Sequence, residues 1–107
     1  MITIEQFKQV ELRVATILAA EPHPNADRLV VLQIDLGSER RQLVAGIRAH
    51  YEPAALVGRQ IVVVANLQPA TLRGVESQGM LLAASDSDGR LALVVPERPV
   101  ASGASVK

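Results

Sequence analysis

Short apolar runs separated by turn-forming residues recur along the chain, and this pattern predicts strands rather than long helices. Residues 10–19 alternate, with Val10, Leu12, Val14 and Leu18 on one face and charged side chains on the other. A period of two is typical of a half-buried strand. Further strands are predicted at 29–36, 40–45, 59–67, 80–85 and 91–95, and the apolar runs 61–64 and 80–84 are expected to be buried.

Two short helices interrupt the predicted strands. Thr3 can cap the first, because Gln6 stands three residues later, where a capping box requires it. Pro53 suits the first turn of the second helix and Gly58 suits its end. The predicted order is three strands, a helix and two or three more strands, which is the order of the five-stranded OB barrel. Other small barrel folds of similar size are alternatives. We therefore expect an all-β single domain over residues 1–107, with an N-terminal helical turn and a C-terminal extension.

The composition excludes several classes of protein. The chain has no Cys, so disulfides and thiolate metal sites are unavailable and a reducing, cytoplasmic location is expected. No apolar run approaches the roughly 18–20 residues that cross a bilayer, so no membrane partner is expected. The N-terminus lacks a basic start followed by an apolar segment, which argues against a signal peptide.

Charge is unevenly distributed, although the chain is neutral overall with 11 basic and 11 acidic residues. Residues 40–73 carry five Arg against one Glu, whereas residues 1–39 carry a net charge of −3. Because screening limits surface fields to about 8–10 Å, a local cationic face matters more than the total. Arg is also the better donor for bidentate phosphate contacts. An uneven charge distribution by itself more often marks a solvent-exposed face with scattered ion pairs than a binding site. A nucleic-acid interface therefore needs support from a sequence motif.

The segment 65–80 joins two predicted strands and is too long for a simple hairpin. It carries a side-chain amide at Asn66, a fixed Pro69, one cation at Arg73, two Gly and the hydroxyl of Ser77. Binding residues are frequent on loops that a rigid scaffold positions. We therefore expect this segment to be the ligand-facing edge of a small barrel, and RNA is the ligand hypothesis to weigh against the aromatic content and the motifs.

Signals for catalysis and metal binding are weak. His23 and His50 have no second ligand at metal-binding spacing, and Asp86–Gly89 lacks the Glu that completes a calcium loop. Ser77 has no His near it in sequence and no strand-to-helix elbow around it. The sequence therefore predicts a protein that is not an enzyme and that uses no metal or cofactor.

The shortage of aromatic side chains narrows the mode of RNA binding. Phe7 and Tyr51 are the whole aromatic supply, too few for a platform on which bases stack. Recognition would then rest on phosphate, ribose hydroxyl and shape, as it usually does for folded or double-helical RNA.

Five motifs occur in order along nearly the whole chain. They are Val10–Val14, His23–Leu29, Val44–Ile47, Val63–Ala70 and Leu72–Met80. Together they resemble the tRNA-binding domain found at the C-terminus of many methionyl-tRNA synthetases. The same domain occurs in free-standing tRNA-binding proteins and in the endothelial monocyte-activating polypeptide II group.

The resemblance implies an OB fold and structure-specific tRNA binding that assists an aminoacyl-tRNA synthetase in cis or in trans. Methionyl-tRNA synthetase is the implied protein partner, and homodimerisation is implied through segments added around the barrel. The implied RNA-binding residues are Asn66, Arg73, Ser77 and Met80, to which charge alone adds Arg28, Arg41 and Arg48. The candidate dimer-interface residues are Ile4, Phe7, Val10, Pro96 and Val100.

One departure and two alternatives accompany this interpretation. Thr71 stands where family members often have Lys, and the loss of one phosphate contact would lower the salt slope by about 0.7–0.9. A chaperone-like branch associated with protein export shares the barrel, so a protein-binding module is the alternative; the ending Ser77–Met80 favours the tRNA branch. The start at Met1 suits a free-standing protein, but the interpretation as a dimerisation domain cut from a longer synthetase is a second alternative.

Overall fold

The computed structural model describes residues 1–107 and is dominated by strands, with two short helices. In chain order the elements are α1 (Ile4–Phe7), β1 (Leu12–Pro22), β2 (Val30–Asp35), β3 (Arg40–Ala45), α2 (Pro53–Leu56), β4 (Gln60–Val64), β5 (Ala70–Leu72), β6 (Val75–Ser77), β7 (Met80–Leu81), β8 (Ala83–Ser85), β9 (Leu91–Leu93) and β10 (Ser105–Val106). The all-β class, the N-terminal helical turn and the helix between the third and fourth strands are confirmed.

Antiparallel pairing in the order β3-β2-β1-β4-β7 forms a nearly closed five-stranded barrel, which confirms the predicted OB-like fold. β2 and β3 pair along their whole length, from Val30 opposite Ala45 to Asp35 opposite Arg40. β1 pairs with β4 over its first part and with β2 over the rest. Aliphatic side chains from β1, β2, β3, β4, β9, α2 and the loops after β2 and β3 fill the barrel as one cluster of 13 buried residues.

The barrel closes between β3 and the β6–β7 junction through side chains as well as backbone. The N–H of Gln78 donates to the carbonyl of Gln42 at 2.7 Å, and the N–H of Gln42 donates to Oε1 of Gln78 at 3.0 Å. Further along β3, the N–H of Val44 donates to Oγ of Ser77, the last residue of β6, at 3.0 Å. The end of segment 65–80 is therefore part of the closure of the barrel.

Both helices are fixed by the residues that the sequence indicated. Oγ1 of Thr3 accepts from the N–H of Gln6 at 3.1 Å, and Oε1 of Gln6 accepts from the N–H of Thr3 at 2.8 Å, so the capping box is confirmed. Pro53 opens α2, and Gly58 follows its end with φ +89°. A helix of this length is not stable alone. α2 is held by Leu56, which is fully buried in the core.

The expected buried face of β1 is wrong. Ala15 and Ile17 enter the core, whereas Leu18 is 37% exposed and Val10 lies before the strand with its side chain exposed. Val14 is buried, but outside the main core cluster, because the C-terminal segment lies along the strand there. Simple alternation also fails along β1, because its register against β2 shifts between Ile17 and residue 19.

The expectation of one buried strand over 80–84 is also wrong. Met80 is 50% exposed, the strand ends after Leu81, and β8 is exposed throughout. The break comes at Leu82, whose N–H donates to the carbonyl of Val62. β8 then pairs with β9 as a separate hairpin around the turn that Asp86–Gly89 predicted.

The C-terminal extension is more ordered than an extended surface tail. β10 pairs with the start of β1, with Val106 opposite Leu12, and the N–H of Gly103 donates to the carbonyl of Val14 at 2.7 Å. Gly103 has φ +88°, and a Cβ built there would lie 2.1 Å from the carbonyl oxygen of Leu36. Only Gly allows the tail to approach the end of β2 this closely.

Candidate nucleic-acid interface

The segment 65–80 contains a two-stranded hairpin of its own, formed by β5 and β6. Leu72 pairs with Val75, which leaves Arg73 and Gly74 as a two-residue turn with φ of +51° and +89°. Positive φ at both positions is what a type I′ hairpin turn requires. Arg73 is the one residue other than Gly with positive φ in the chain. A cation is therefore held at the tip of the hairpin in a backbone conformation that an Asn or Gly would adopt more easily.

His23 fastens this hairpin to the connection between β1 and β2. It is 5% exposed, its Nδ1 accepts from the N–H of Asn25 at 2.9 Å, and its Nε2 lies 2.9 Å from the carbonyl oxygen of Leu72. Because Nδ1 faces a donor and Nε2 faces an acceptor, the pattern fits the neutral tautomer with its proton on Nε2. His23 is a structural link between two loops, a role that the sequence did not indicate.

Three of the seven predicted RNA-binding residues lie together where these loops meet. Arg28 and Arg73 line one cleft of about 440 Å³, and Nη2 of Arg73 donates to the carbonyl of Asn25 at 3.3 Å. The backbone N–H of Arg48 donates to the carbonyl of Arg28 at 3.2 Å, which places Arg48 beside the same connection. We call Arg28, Arg48 and Arg73 the arginine cluster. None of the three forms an ion pair, although Asp27 lies in the same cleft.

Arg41 lies elsewhere and is occupied within the barrel. Its guanidinium forms an ion pair with Glu39 at 2.6 Å and donates to the carbonyl of Ala65. A longer contact of 3.4 Å reaches the carbonyl of Gln78. Arg41 therefore ties β3 to both ends of segment 65–80, and these contacts leave it less free for phosphate than the arginine cluster.

Ser77 and Asn66 also make internal hydrogen bonds. Ser77 is 5% exposed, and its hydroxyl donates to the carbonyl of Gly79 at 3.0 Å while it accepts from the N–H of Val44. Oδ1 of Asn66 accepts from the N–H of Glu11 at 2.8 Å, and its Nδ2 donates to the carbonyl of Gln9 at 2.7 Å. In this conformation both side chains hold the backbone, Ser77 from a buried position and Asn66 from an exposed one.

Met80, the remaining predicted RNA contact, lines an apolar groove of about 330 Å³. The groove lies between the end of β3, the hairpin and the start of β7. It is lined by Val44, Ala45, Gly46, Leu67, Gln68, Ala70, Leu72, Ser77, Gly79, Met80 and Leu81. Leu72 is 38% exposed and Leu67 is also exposed, so two more apolar side chains are accessible there. Sequence reasoning did not find this groove, because its walls come from three separate segments.

The predicted dimer residues fall into two groups. Ile4, Phe7 and Val10 are exposed on and after α1, and the last two line a cleft with β10. Val100 is exposed on the C-terminal segment, where its N–H and carbonyl bond the side chain of Gln60. Pro96 belongs to the same group, because it is half-buried in a cleft that Gln60 lines together with Thr16 and Arg59.

Two further observations bear on the class of site. No three His, Asp or Glu side chains gather as metal ligands. Both helices are far too short to cross a bilayer.

Known proteins place the chain in a family. Residues 12–105 match the family model described as "Putative tRNA binding domain". The chain is 55% identical over 105 residues to methionine–tRNA ligase of Thermotoga maritima, a match that covers 98% of this chain and 16% of that protein. The curated relatives of this kind are much longer, and the chain spans about one sixth of their length.

Solved structures share the fold over the whole chain. The crystal structure of a MetRS related protein from Pyrococcus horikoshii superposes with a TM-score of 0.94 at 34% identity, covering 100% of this chain and 98% of that one. The crystal structure of chaperone CsaA from Bacillus anthracis superposes with a TM-score of 0.90 at 30% identity, covering 100% and 99%. The motifs, the barrel and these matches agree, and the chain belongs to the tRNA-binding-domain family.

Proposed function

We propose that the chain is a non-catalytic module that recognises the folded shape of tRNA and assists an aminoacyl-tRNA synthetase in cis or in trans. Family membership supports tRNA as the ligand, and similarity to methionine–tRNA ligases supports methionyl-tRNA synthetase as the protein partner. The observation that carries the mode of binding is the arginine cluster, because all three arginines belong to or contact the β1–β2 connection and none of them forms an ion pair.

Phosphate contact by this cluster would give affinity without sequence preference. Contacts to phosphate fix the position of a nucleic acid but carry no sequence information directly. Arg13, Arg90 and Arg98 each form an ion pair with a neighbouring carboxylate, so their charge is locally compensated. The chain therefore offers a set of three paired arginines as a control for the three unpaired arginines of the cluster.

This difference provides a matched test. Affinity for folded tRNA is measured against salt for the wild type, for a triple Arg→Ala variant of the arginine cluster, and for the triple Arg→Ala variant of Arg13, Arg90 and Arg98. Each lost phosphate contact lowers the slope of log affinity against log salt by about 0.7–0.9. We expect the magnitude of this slope to fall by about two to three in the cluster variant and by well under one in the control variant.

Two further arms of the experiment test shape recognition. Unfolded tRNA and duplex DNA should bind more weakly than folded tRNA at the same salt concentration. A wild-type affinity that does not fall with salt, or equal slopes in the two triple variants, would overturn the proposed mode of binding.

A protein-binding function is the second candidate, because chaperone CsaA has the same fold and the apolar groove is open. This function would bind extended apolar segments and would depend little on salt. The salt titration above separates it from tRNA binding.

We also propose that two copies associate through the exposed apolar side chains around α1. Phe7 and Val10 line a cleft with β10, and Ile4 is exposed three residues before Phe7 on α1, which makes a patch that a second copy can cover. Light scattering should give twice the mass of one chain, and Phe7→Glu should halve it. Val57→Glu, at another exposed apolar position, is the control. A wild-type mass of one chain at every concentration would contradict association.

A further inference from the structure

We propose that the apolar groove beside the arginine cluster takes a single unpaired nucleobase of the bound RNA. The inference rests on the proposed tRNA-binding function and assigns a second contact within the same interface. Its ligand class is a nucleotide whose base lies in the groove and whose phosphate lies against the arginines.

The walls of the groove lead directly to the cluster. Gly46, at the end of β3, lines one wall, and the chain reaches Arg48 two residues later. Leu72, at the end of β5, lines the other wall and is followed at once by Arg73. His23 holds Leu72 in place through its carbonyl. Arg48 and Arg73 therefore follow the two walls directly along the chain. Both contact the connection between β1 and β2, Arg48 through its backbone N–H to Arg28 and Arg73 through its guanidinium to Asn25.

The size and chemistry of the groove fit one base. A volume of about 330 Å³ lies at the lower end of small-molecule sites, which is too small for several nucleotides. Leu72 and Met80 supply accessible aliphatic surface for the flat face of a ring. Gln68 is exposed in the lining, and its side-chain amide makes no internal hydrogen bond, so it is free to bond the edge of a base.

An unpaired base is the occupant that the charge favours. Bases in loops, bulges and ends of RNA are available to pockets, whereas bases inside a helix are not. An apolar peptide would fit the aliphatic walls but would gain nothing from the unpaired arginines that follow them along the chain. The groove also explains how a chain with two aromatic residues can contact a base.

The test compares two RNA hairpins with the same stem, one blunt and one with a single-stranded overhang that carries 2-aminopurine. The wild type should bind the overhang RNA more tightly than the blunt RNA. The double variant Leu72→Ser with Met80→Ser should lose about fivefold for the overhang RNA, at the lower end of the effects measured for base contacts. It should bind the blunt RNA within twofold of the wild type.

Fluorescence gives a second readout. Transfer of 2-aminopurine from a stack of bases into an aliphatic groove should raise its emission with the wild type but not with the double variant. Val57→Ser with Val94→Ser, at two exposed apolar positions outside the groove, is the matched control and should behave as the wild type.

The outcomes separate the two proposals. If both RNAs bind equally and the emission is unchanged, the base site fails while tRNA binding stands. If neither hairpin binds at any salt concentration, the base site fails, and the proposed function fails with it only if folded tRNA does not bind either. If an apolar peptide shifts the amide signals of Gly46 and Gly79 while the overhang RNA leaves them unmoved, the groove is a peptide site and the base site is overturned.

Discussion

The two small hairpins, β5–β6 and β8–β9, each carry an arginine at the turn and use it differently. Arg90 forms ion pairs with Asp86 at 2.7 Å and with Asp88 at 3.2 Å, so its charge is compensated within the turn. Arg73 bonds a carbonyl and meets no carboxylate within ion-pair distance. The number of arginines is therefore a poor guide to a phosphate site, and the carboxylates around each arginine are a better one.

The hairpins also differ in how they are anchored. β5–β6 is held by buried polar side chains, His23 at its tip and Ser77 at its base. β8–β9 is held by the aliphatic side chain of Leu93, by the N–H of Leu93, which donates to the hydroxyl of Tyr51 at 3.1 Å, and by the carbonyl of Val94, which accepts from the backbone N–H of Val62. Directional bonds fix the orientation of the first hairpin and therefore the direction in which its cation points.

The largest effect should come from breaking the anchor at the tip. His23→Ala leaves the carbonyl of Leu72 and the N–H of Asn25 without their partner and opens a cavity, so we expect a loss of about 2–4 kcal/mol in the free energy of unfolding. Chemical denaturation measures it. His50→Ala, at an exposed position without side-chain hydrogen bonds, should cost less than about 0.5 kcal/mol. Equal losses in both variants would contradict the structural role of His23.

Removal of the anchor at the base should cost somewhat less. Ser77→Ala leaves the buried N–H of Val44 without a partner, which costs about 1–3 kcal/mol. Tyr51→Phe is the corresponding change at the second hairpin. It should cost about 0.5–1.5 kcal/mol, because it removes one hydrogen bond at a less buried position. Denaturation of the two variants side by side tests the order, and a larger loss for Tyr51→Phe would reverse the comparison.

Exchange of the turn arginine should separate stability from affinity. Arg73→Asn relieves the positive φ and should raise the free energy of unfolding by about 0.5–1 kcal/mol. The same change removes a phosphate contact, so tRNA affinity should fall by about three- to tenfold. Arg90→Asn should lower the free energy of unfolding by a few tenths of a kcal/mol and leave tRNA affinity unchanged. If Arg73→Asn lowered both stability and affinity, the turn would not be strained.

The smallest effect concerns the pH dependence of the second turn. The N–H and guanidinium of Arg90, together with the N–H of Asp88, hold the pKa of Asp86 below its usual value of 3.8. The carboxylate therefore stabilises the turn above pH 3.8, and this contribution is lost as the pH falls through the lower pKa of the folded state. An NMR titration that follows the N–H of Arg90 should give a midpoint below that of Asp86 in an unfolded peptide. Asp86→Asn should abolish the transition.

Local patterns predicted most of the fold but not the state of each site residue. The β2–β3 hairpin, the capping box at Thr3 and the short helix at Pro53 depend on neighbours in sequence, and all three are confirmed. The buried face of β1 could not be predicted, because the segment that covers Val14 lies at the other end of the chain.

The same limit applies to the candidate site. Arg41 and Arg73 have the same side chain, and charge alone could not show that the partners of Arg41 lie 24 and 37 residues away. The buried state of Ser77 likewise depends on Val44, a contact across 33 residues. The family motif located the right segment, but the hydrogen bonds of the folded chain decide which of its side chains are free.

The pairing of β10 with the start of β1 has a consequence for synthesis. Leu12 and Val106 stand at opposite ends of the sequence, and the ribosome makes β1 first. Until the segment around Gly103 emerges, the edge of β1 from residue 12 to 14 has open backbone donors and acceptors, which are a template for pairing with another chain. At a rate of about 5–20 residues per second this interval lasts several seconds. The segment that contains β10, made after the rest of the barrel, therefore protects β1 from intermolecular pairing.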